Sequence, residues 1–140
     1  HGIRGVAGST RASRFGLVPD YTLRAAQETC LLVQAETYEA LGQIEEIAKI
    51  DGVDGIFVGP ADLAASMGHP GNPNHPEVKS AIMNALGRIR AAGKPPGILS
   101  SDQAFLREAE EAGAQFIAVG VDLVILRDAT RKRRGEWQES

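Results

Sequence analysis

The chain has 140 residues, 43% of them apolar and 24% charged, with a formal net charge of −3. That is enough chain for one ordinary domain with a real core, and the composition is that expected of a soluble globular protein. The negative balance argues against a general nucleic-acid binder, no apolar run is long enough to cross a bilayer, and no signal peptide is visible, so a cytoplasmic setting is expected.

The first twenty residues are rich in Gly, Ser and Arg and carry no sustained periodicity. They read as a loop with one short helix around Arg11 to Phe15, followed by a second short helix over Tyr21 to Glu28. From there strand and helix alternate. The apolar run Cys30 to Gln34 predicts a strand, with Cys30 buried in it as a small hydrophobe and no partner for an internal disulfide. Leu41, Ile44, Ile47 and Ala48 recur at helical spacing and predict one helix from Thr37 to Ile50, stopped by Asp51-Gly52. Gly55 to Val58 predicts a strand and Ala61 to Met67 a short helix. A polar loop, Gly68 to Asn74, leads to a long helix that begins at Pro76, with Asn74 or His75 near its cap, and stops at Gly93. Pro96 to Leu99 predicts a strand, and Asp102 to Ala112 a helix capped by Ser101 or Asp102 and stopped by Gly113. Phe116 to Val119 is the last strand and Leu123 onward the last helix, in which Arg131-Lys132-Arg133-Arg134 reads as a solvated helix end.

Strict alternation of this kind means a parallel sheet with crossover helices. Short, continuously apolar strands are expected where both sheet faces are covered. Four polar signals follow directly on strands: Gln34 with Glu36, Gly59 with Asp62, Ser100 with Ser101, and Gly120 with Asp122. In α/β sheets that end holds the active site. Glu36 and Asp62 therefore occupy equivalent strand-to-helix corners of consecutive units and can converge on one cation. A carboxylate in a first helical turn also suits the helix dipole, so position alone leaves both readings open. Gln34, two residues before Glu36, lies on the same strand face. Lys94 falls in a loop that precedes a strand, the wrong end for a Schiff-base lysine.

Five blocks carry a family signature: Leu32-Val33-Gln34-Ala35-Glu36-Thr37; Gly52 through Leu63, containing Gly59-Pro60-Ala61-Asp62; Gly71-Asn72-Pro73-Asn74-His75-Pro76-Glu77-Val78; Gly97-Ile98-Leu99; and Phe116 through Asp122. Arg4-Gly5-Val6 and Arg11-Ala12-Ser13-Arg14 add to them. Together they resemble the HpcH/HpaI family of metal-dependent pyruvate aldolases, which includes 4-hydroxy-2-oxoheptanedioate aldolase and 2-keto-3-deoxy-L-rhamnonate aldolase. The resemblance implies a fold of (β/α)₈ TIM-barrel type, of which residues 1–140 supply a partial domain, strands five to eight, without the N-terminal half. It implies an aldolase that reversibly cleaves a 4-hydroxy-2-oxo acid to pyruvate and an aldehyde. Glu36 and Asp62 match the metal ligands, for Mg²⁺, Mn²⁺ or Co²⁺. Gln34, Gly59, Ala61, Asp62 and Leu99 match substrate-binding positions, Leu99 on the aldehyde side. An arginine and a His–Asp pair belong to the half not represented, so no catalytic residue is assigned here and the fragment alone is expected to be inactive. The family also implies a homo-oligomer, a trimer or hexamer, with no nucleic-acid or membrane partner. The alternatives are a citrate-lyase-type lyase acting on CoA thioesters and a non-catalytic half-barrel assembly module.

Overall fold

A computed structural model describes residues 5–138, so Arg4 of the opening motif lies outside the described residues. The chain forms two compact units divided after Cys30. In the first, a single 3₁₀ turn spans Arg11–Ser13, and α1 spans Tyr21–Glu28 as expected. The turn is built around Ser13, which is buried. Its hydroxyl lies 2.7 Å from the Gly8 carbonyl and accepts from the Gly16 N–H at 3.0 Å.

The second unit carries the sheet. Among the described residues its elements are β1 (Leu32–Ala35), α2 (Tyr38–Leu41), α3 (Ile44–Ala48), β2 (Gly55–Val58), α4 (Pro60–Ser66), α5 (Pro76–Ala91), β3 (Pro96–Leu99), α6 (Gln103–Glu111), β4 (Phe116–Ala118) and α7 (Asp122–Gln138). The strands pair in chain order, all parallel. None of the helices among the described residues is long and apolar enough to cross a membrane.

Registry fixes which side chains share a face. Gln34 pairs with Phe57, Phe57 with Gly97, and Gly97 with Phe116; the neighbouring row runs Ala35, Val58, Ile98, Ile117. The second row packs under the helices: Ala35, Val58 and Ile98 are fully buried. They meet the apolar stripe of α5, in which Val78, Ile82, Ala85, Leu86 and Ile89 recur at helical spacing. Gly93 and Gly113, just past α5 and α6, take the left-handed conformation that closes a helix.

Three expectations require correction. The two faces of the sheet are not equally covered: on the row opposite the helices Leu32 is 40% exposed and Phe116 52%. The strands are apolar because one face meets helices and the other carries rings and glycines, not because helices flank both. The helix expected over Thr37 to Ile50 is two short helices, since the chain turns at Gly42 and Gln43 without disturbing the spacing of the buried positions. Cys30 is exposed and precedes β1. It has no sheet neighbour, since β1 begins at Leu32 as an edge strand.

An ion pair ties the broken helix to α5. Arg88 on α5 meets Glu45 on α3 in a two-pronged contact, with Nε donating to Oε1 at 2.7 Å, and its Nη1 donates to the Leu41 carbonyl at 2.8 Å. The guanidinium holds the Glu45 carboxyl down from 4.5 to about 2. A carboxyl lowered by folding stabilises the folded chain above its unfolded value and loses that contribution as pH falls toward the folded one. Glu45→Gln should therefore lower the melting temperature near neutrality and flatten its pH dependence between about 4.5 and about 2. Parallel melting curves across that window check it; identical slopes would show that the pair contributes nothing.

Candidate active site

The polar residues singled out in the sequence stand together at the carboxyl ends of the strands. β1 ends at Ala35, and the next residue, Glu36, comes before the Thr37 cap, whose hydroxyl accepts from the Ala40 N–H at 3.1 Å. The Tyr38 N–H donates to Ser66 Oγ at 2.9 Å, anchoring this corner to the far end of α4. Continued by one residue, the β1–β2 register sets Glu36 beside Gly59, and the two residues are in contact there. A Cβ built on Gly59 would lie 2.8 Å from Glu36 Cβ and 2.8 Å from Glu36 Oε2. Gln34, on the same strand face, donates from Nε2 to Glu36 Oε2 at 3.1 Å. The carboxylate is thus laid across a glycine and steadied by an amide.

Gly59 is also the cap of α4, and Pro60 is its first residue. Proline there gives up no hydrogen bond, because the first N–H groups of a helix have no intrahelical acceptor. Asp62 stands in this first turn, exposed, three residues past the glycine that carries Glu36. Both acids therefore occupy the same end of the sheet, each just past one of two neighbouring parallel strands. Ala61 and Leu99 share a cavity of about 170 Å³ with Asn74, Ser100, Ser101 and Phe105. Sequence reasoning placed the acids, Gln34 and Leu99, but not the packing of Glu36 on Gly59, which depends on strand register.

Near the site Asp102 and His75 are the helix caps, as the sequence allowed, and each has a partner that the sequence did not reveal. Lys79 of α5 donates to Asp102 Oδ2 at 2.8 Å, and Asp102 caps α6 by accepting from the Phe105 N–H at 3.1 Å. His75 caps α5 by accepting from the Glu77 N–H, and its ring stacks on that of His69 with centroids 3.6 Å apart and planes 15° from parallel. His69, His75 and Glu77 are the one group of three such ligand types gathered within 4.8 Å among the described residues. Imidazole lone pairs lie in the ring plane, so two nearly parallel stacked rings do not aim at one ion. The cluster instead clips the two ends of the loop between α4 and α5, with His69 Nε2 3.1 Å from Glu77 Oε2. Lys94, as expected, lies at the opposite end of the sheet, where its amine donates to the Val53 carbonyl.

A parallel sheet with helices on one face and its acids and amide gathered beyond the carboxyl ends of the strands is the layout of half a (β/α)₈ barrel. The chain belongs to the HpcH/HpaI aldolase/citrate lyase family, whose pattern matches residues 1–129. It is 60% identical over 136 residues to a hydroxypyruvate/pyruvate aldolase of Sagittula stellata, which covers 97% of this chain and 54% of the relative. It is 53% identical over 126 residues to a 4-hydroxy-2-oxo-heptane-1,7-dioate aldolase of Salmonella paratyphi B, covering 89% and 48%. A crystal structure of an HpcH/HpaI aldolase/citrate lyase family protein from Burkholderia cenocepacia superposes with a TM-score of 0.86 at 42% identity, covering 98% of this chain and 53% of that one. The chain spans about half the length of the curated relatives it matches.

Proposed function

We propose that this chain supplies the ion- and pyruvate-binding half of a divalent-metal-dependent aldolase that reversibly cleaves a 4-hydroxy-2-oxo acid to pyruvate and an aldehyde. The observation that carries this reading is the Glu36 carboxylate lying over Gly59 at the head of α4, one turn from Asp62. Space that a Cβ would fill is given instead to a carboxylate oxygen, and the donor set is all oxygen. Such a set fits a hard divalent cation of the Mg²⁺, Mn²⁺ or Co²⁺ kind and leaves positions for water and a chelating substrate. Names of similar proteins support the reaction class, since the relatives described above are aldolases.

In this reading Glu36 and Asp62 hold the ion. When bound, it supplies positive charge that favours the enolate of pyruvate over the neutral keto form. Gln34 keeps Glu36 oriented. The N–H groups of Ala61 and Asp62, at the start of α4, face the pyruvate carboxylate, and Gly59 lets the backbone come close. Leu99 lines the aldehyde side. In cleavage the C4 hydroxyl gives up its proton, the C3–C4 bond breaks, its electron pair passes into the enolate, and C3 is then protonated to give pyruvate. The groups that move those protons are assigned to the other half of the barrel. Assembly into a trimer or hexamer is proposed through α7, where Leu123, Ile125 and Leu126 are exposed.

The test joins this chain to the N-terminal half of the Sagittula relative, so that the barrel is complete. Deuterium exchange at the pyruvate methyl and aldol cleavage are then measured before chelation, after it, and after Mn²⁺ is restored. Both activities should vanish with the ion and return with it. Asp62→Asn should weaken Mn²⁺ binding and slow cleavage together, by at least the roughly 10-fold that losing a mere partner of a ligand costs. Undiminished cleavage after exhaustive chelation would end the reading, as would an Asp62→Asn protein with unchanged Mn²⁺ affinity. The chain without its other half should bind Mn²⁺ weakly and show no turnover.

A further inference from the structure

The cavity beside Ala61 and Leu99 is closed on one side by groups that belong to a single hydrogen-bonded assembly. Ser100 follows β3, and its N–H continues the ladder by donating to the Ala118 carbonyl at 3.2 Å. Its hydroxyl accepts from the Asp102 N–H at 3.1 Å. One oxygen of Asp102 caps α6 at the Phe105 N–H, and the other accepts from Lys79. The Lys79 amine also sits 4.7 Å from the centre of the buried Phe105 ring, within cation–π range. Ser100, Ser101 and Phe105 all line the cavity. Lys79 does not, yet it grips the residue that connects them.

This pair is built better than a surface ion pair. Both side chains are about two-thirds covered, the lysine at 31% exposure and the aspartate at 34%. The Lys79 hydrogen bond, followed by the Phe105 N–H, holds the Asp102 carboxyl below its ordinary range, so it is charged at neutral pH. It joins α5, which follows the loop that lines the cavity with Asn74, to α6, which lines it with Phe105. At about 170 Å³ the cavity is well under the roughly 300 Å³ at which drug-sized pockets begin, and it suits a short polar aldehyde.

Resting on the aldolase reading above, we propose that Lys79 is a positioning residue for the aldehyde half of the reaction. Through Asp102 it sets where the Ser100–Ser101 turn and the Phe105 ring stand relative to Leu99 and Ala61. It touches neither the ion site nor pyruvate. Its loss moves the wall that meets the aldehyde and leaves the pyruvate end in place.

The experiment uses the completed barrel with Lys79→Met, Lys79→Arg and Asp102→Asn. Two reactions are followed: deuterium exchange at the pyruvate methyl, which needs no aldehyde, and aldol addition of pyruvate to a two-carbon hydroxyaldehyde or a four-carbon aldehyde ending in a carboxylate. Lys79→Met and Asp102→Asn should leave exchange within about twofold, raise the aldehyde KM about tenfold, and change the preference between the two aldehydes at least about threefold. Lys79→Arg should restore both aldehyde constants to within about twofold. Three results would overturn the proposal: exchange and addition falling by one common factor, a lower melting temperature with unchanged aldehyde constants, or no rescue by arginine. If the unaltered barrel exchanges no deuterium, the pyruvate reading itself fails and this proposal with it, a result distinct from the other three. If Lys79→Met does not fold, Asp102→Asn decides alone, because its amide keeps an oxygen for the α6 cap while losing the charge.

Discussion

If Glu36 holds the ion as proposed, Gly59→Ala should weaken divalent-ion binding sharply while the chain still folds. The backbone at Gly59 has φ −92° and ψ 99°, an extended conformation open to any residue. Glycine is required there for space and not for its torsional freedom. The added methyl would stand 2.8 Å from both Glu36 Cβ and Glu36 Oε2, closer than non-bonded carbon and oxygen tolerate. Swinging the Glu36 side chain clears Oε2 but cannot move its Cβ, so the Glu36 corner must shift as well, because Gly59 is buried just past β2 and held by its N–H bond to the Ala35 carbonyl. The swing would break the contact with Gln34 as well. Loss of a partner that merely orients a ligand already costs about 10–100-fold in ion affinity, so displacing the carboxylate itself should cost at least about 10-fold. Titration calorimetry with Mn²⁺ on the completed barrel, beside circular dichroism and a melting curve, separates the two effects. Wild-type affinity in a folded Gly59→Ala protein would mean that Glu36 is not a ligand.

Ile82→Ala should remove a large part of the folding stability. Ile82 is fully buried on α5, in the stripe that covers Ile56, Val58 and Ile98 of the sheet. Deleting three carbons there loses their transfer free energy and leaves a hole that fixed strands on one side and α3 on the other cannot fill. Such truncations destabilise by about 2–5 kcal/mol, against a whole-domain stability of roughly 5–15 kcal/mol. Urea midpoints should fall accordingly, with Ile82→Val losing only about 0.5–1.5 kcal/mol. An unchanged midpoint for the alanine variant would show that α5 does not organise the core.

Much of this architecture was legible from residue order. Gly55–Val58 and Pro96–Leu99 fall where expected because apolar runs end abruptly at Gly59 and Ser100. α5 was marked by Pro76 at its start and Gly93 beyond its end. The break at Gly42 was invisible because Leu41, Ile44 and Ala48 keep helical spacing on either side of it. Exposure of Cys30 was missed because apolar character does not reveal whether a strand will have a neighbour. At the site, alternation put Gln34 and Glu36 on one face, and the amide–carboxylate contact follows from it. The seat of Glu36 on Gly59 needed the pairing of two strands 23 residues apart in register. Lys79 and Asp102 are likewise far apart in sequence, and nothing in either residue's surroundings advertises the other.

Alternation along β1 to β3 has a consequence for how such a protein can diversify. Odd-numbered positions on β1 and even-numbered ones on β2 and β3 belong to the hydrocarbon layer beneath the helices, and their neighbours to the chemistry above. A lineage can therefore exchange the groups that meet a new substrate while the scaffold below keeps its shape. The reverse also holds: drift among the buried aliphatic residues retunes robustness without retuning what is recognised.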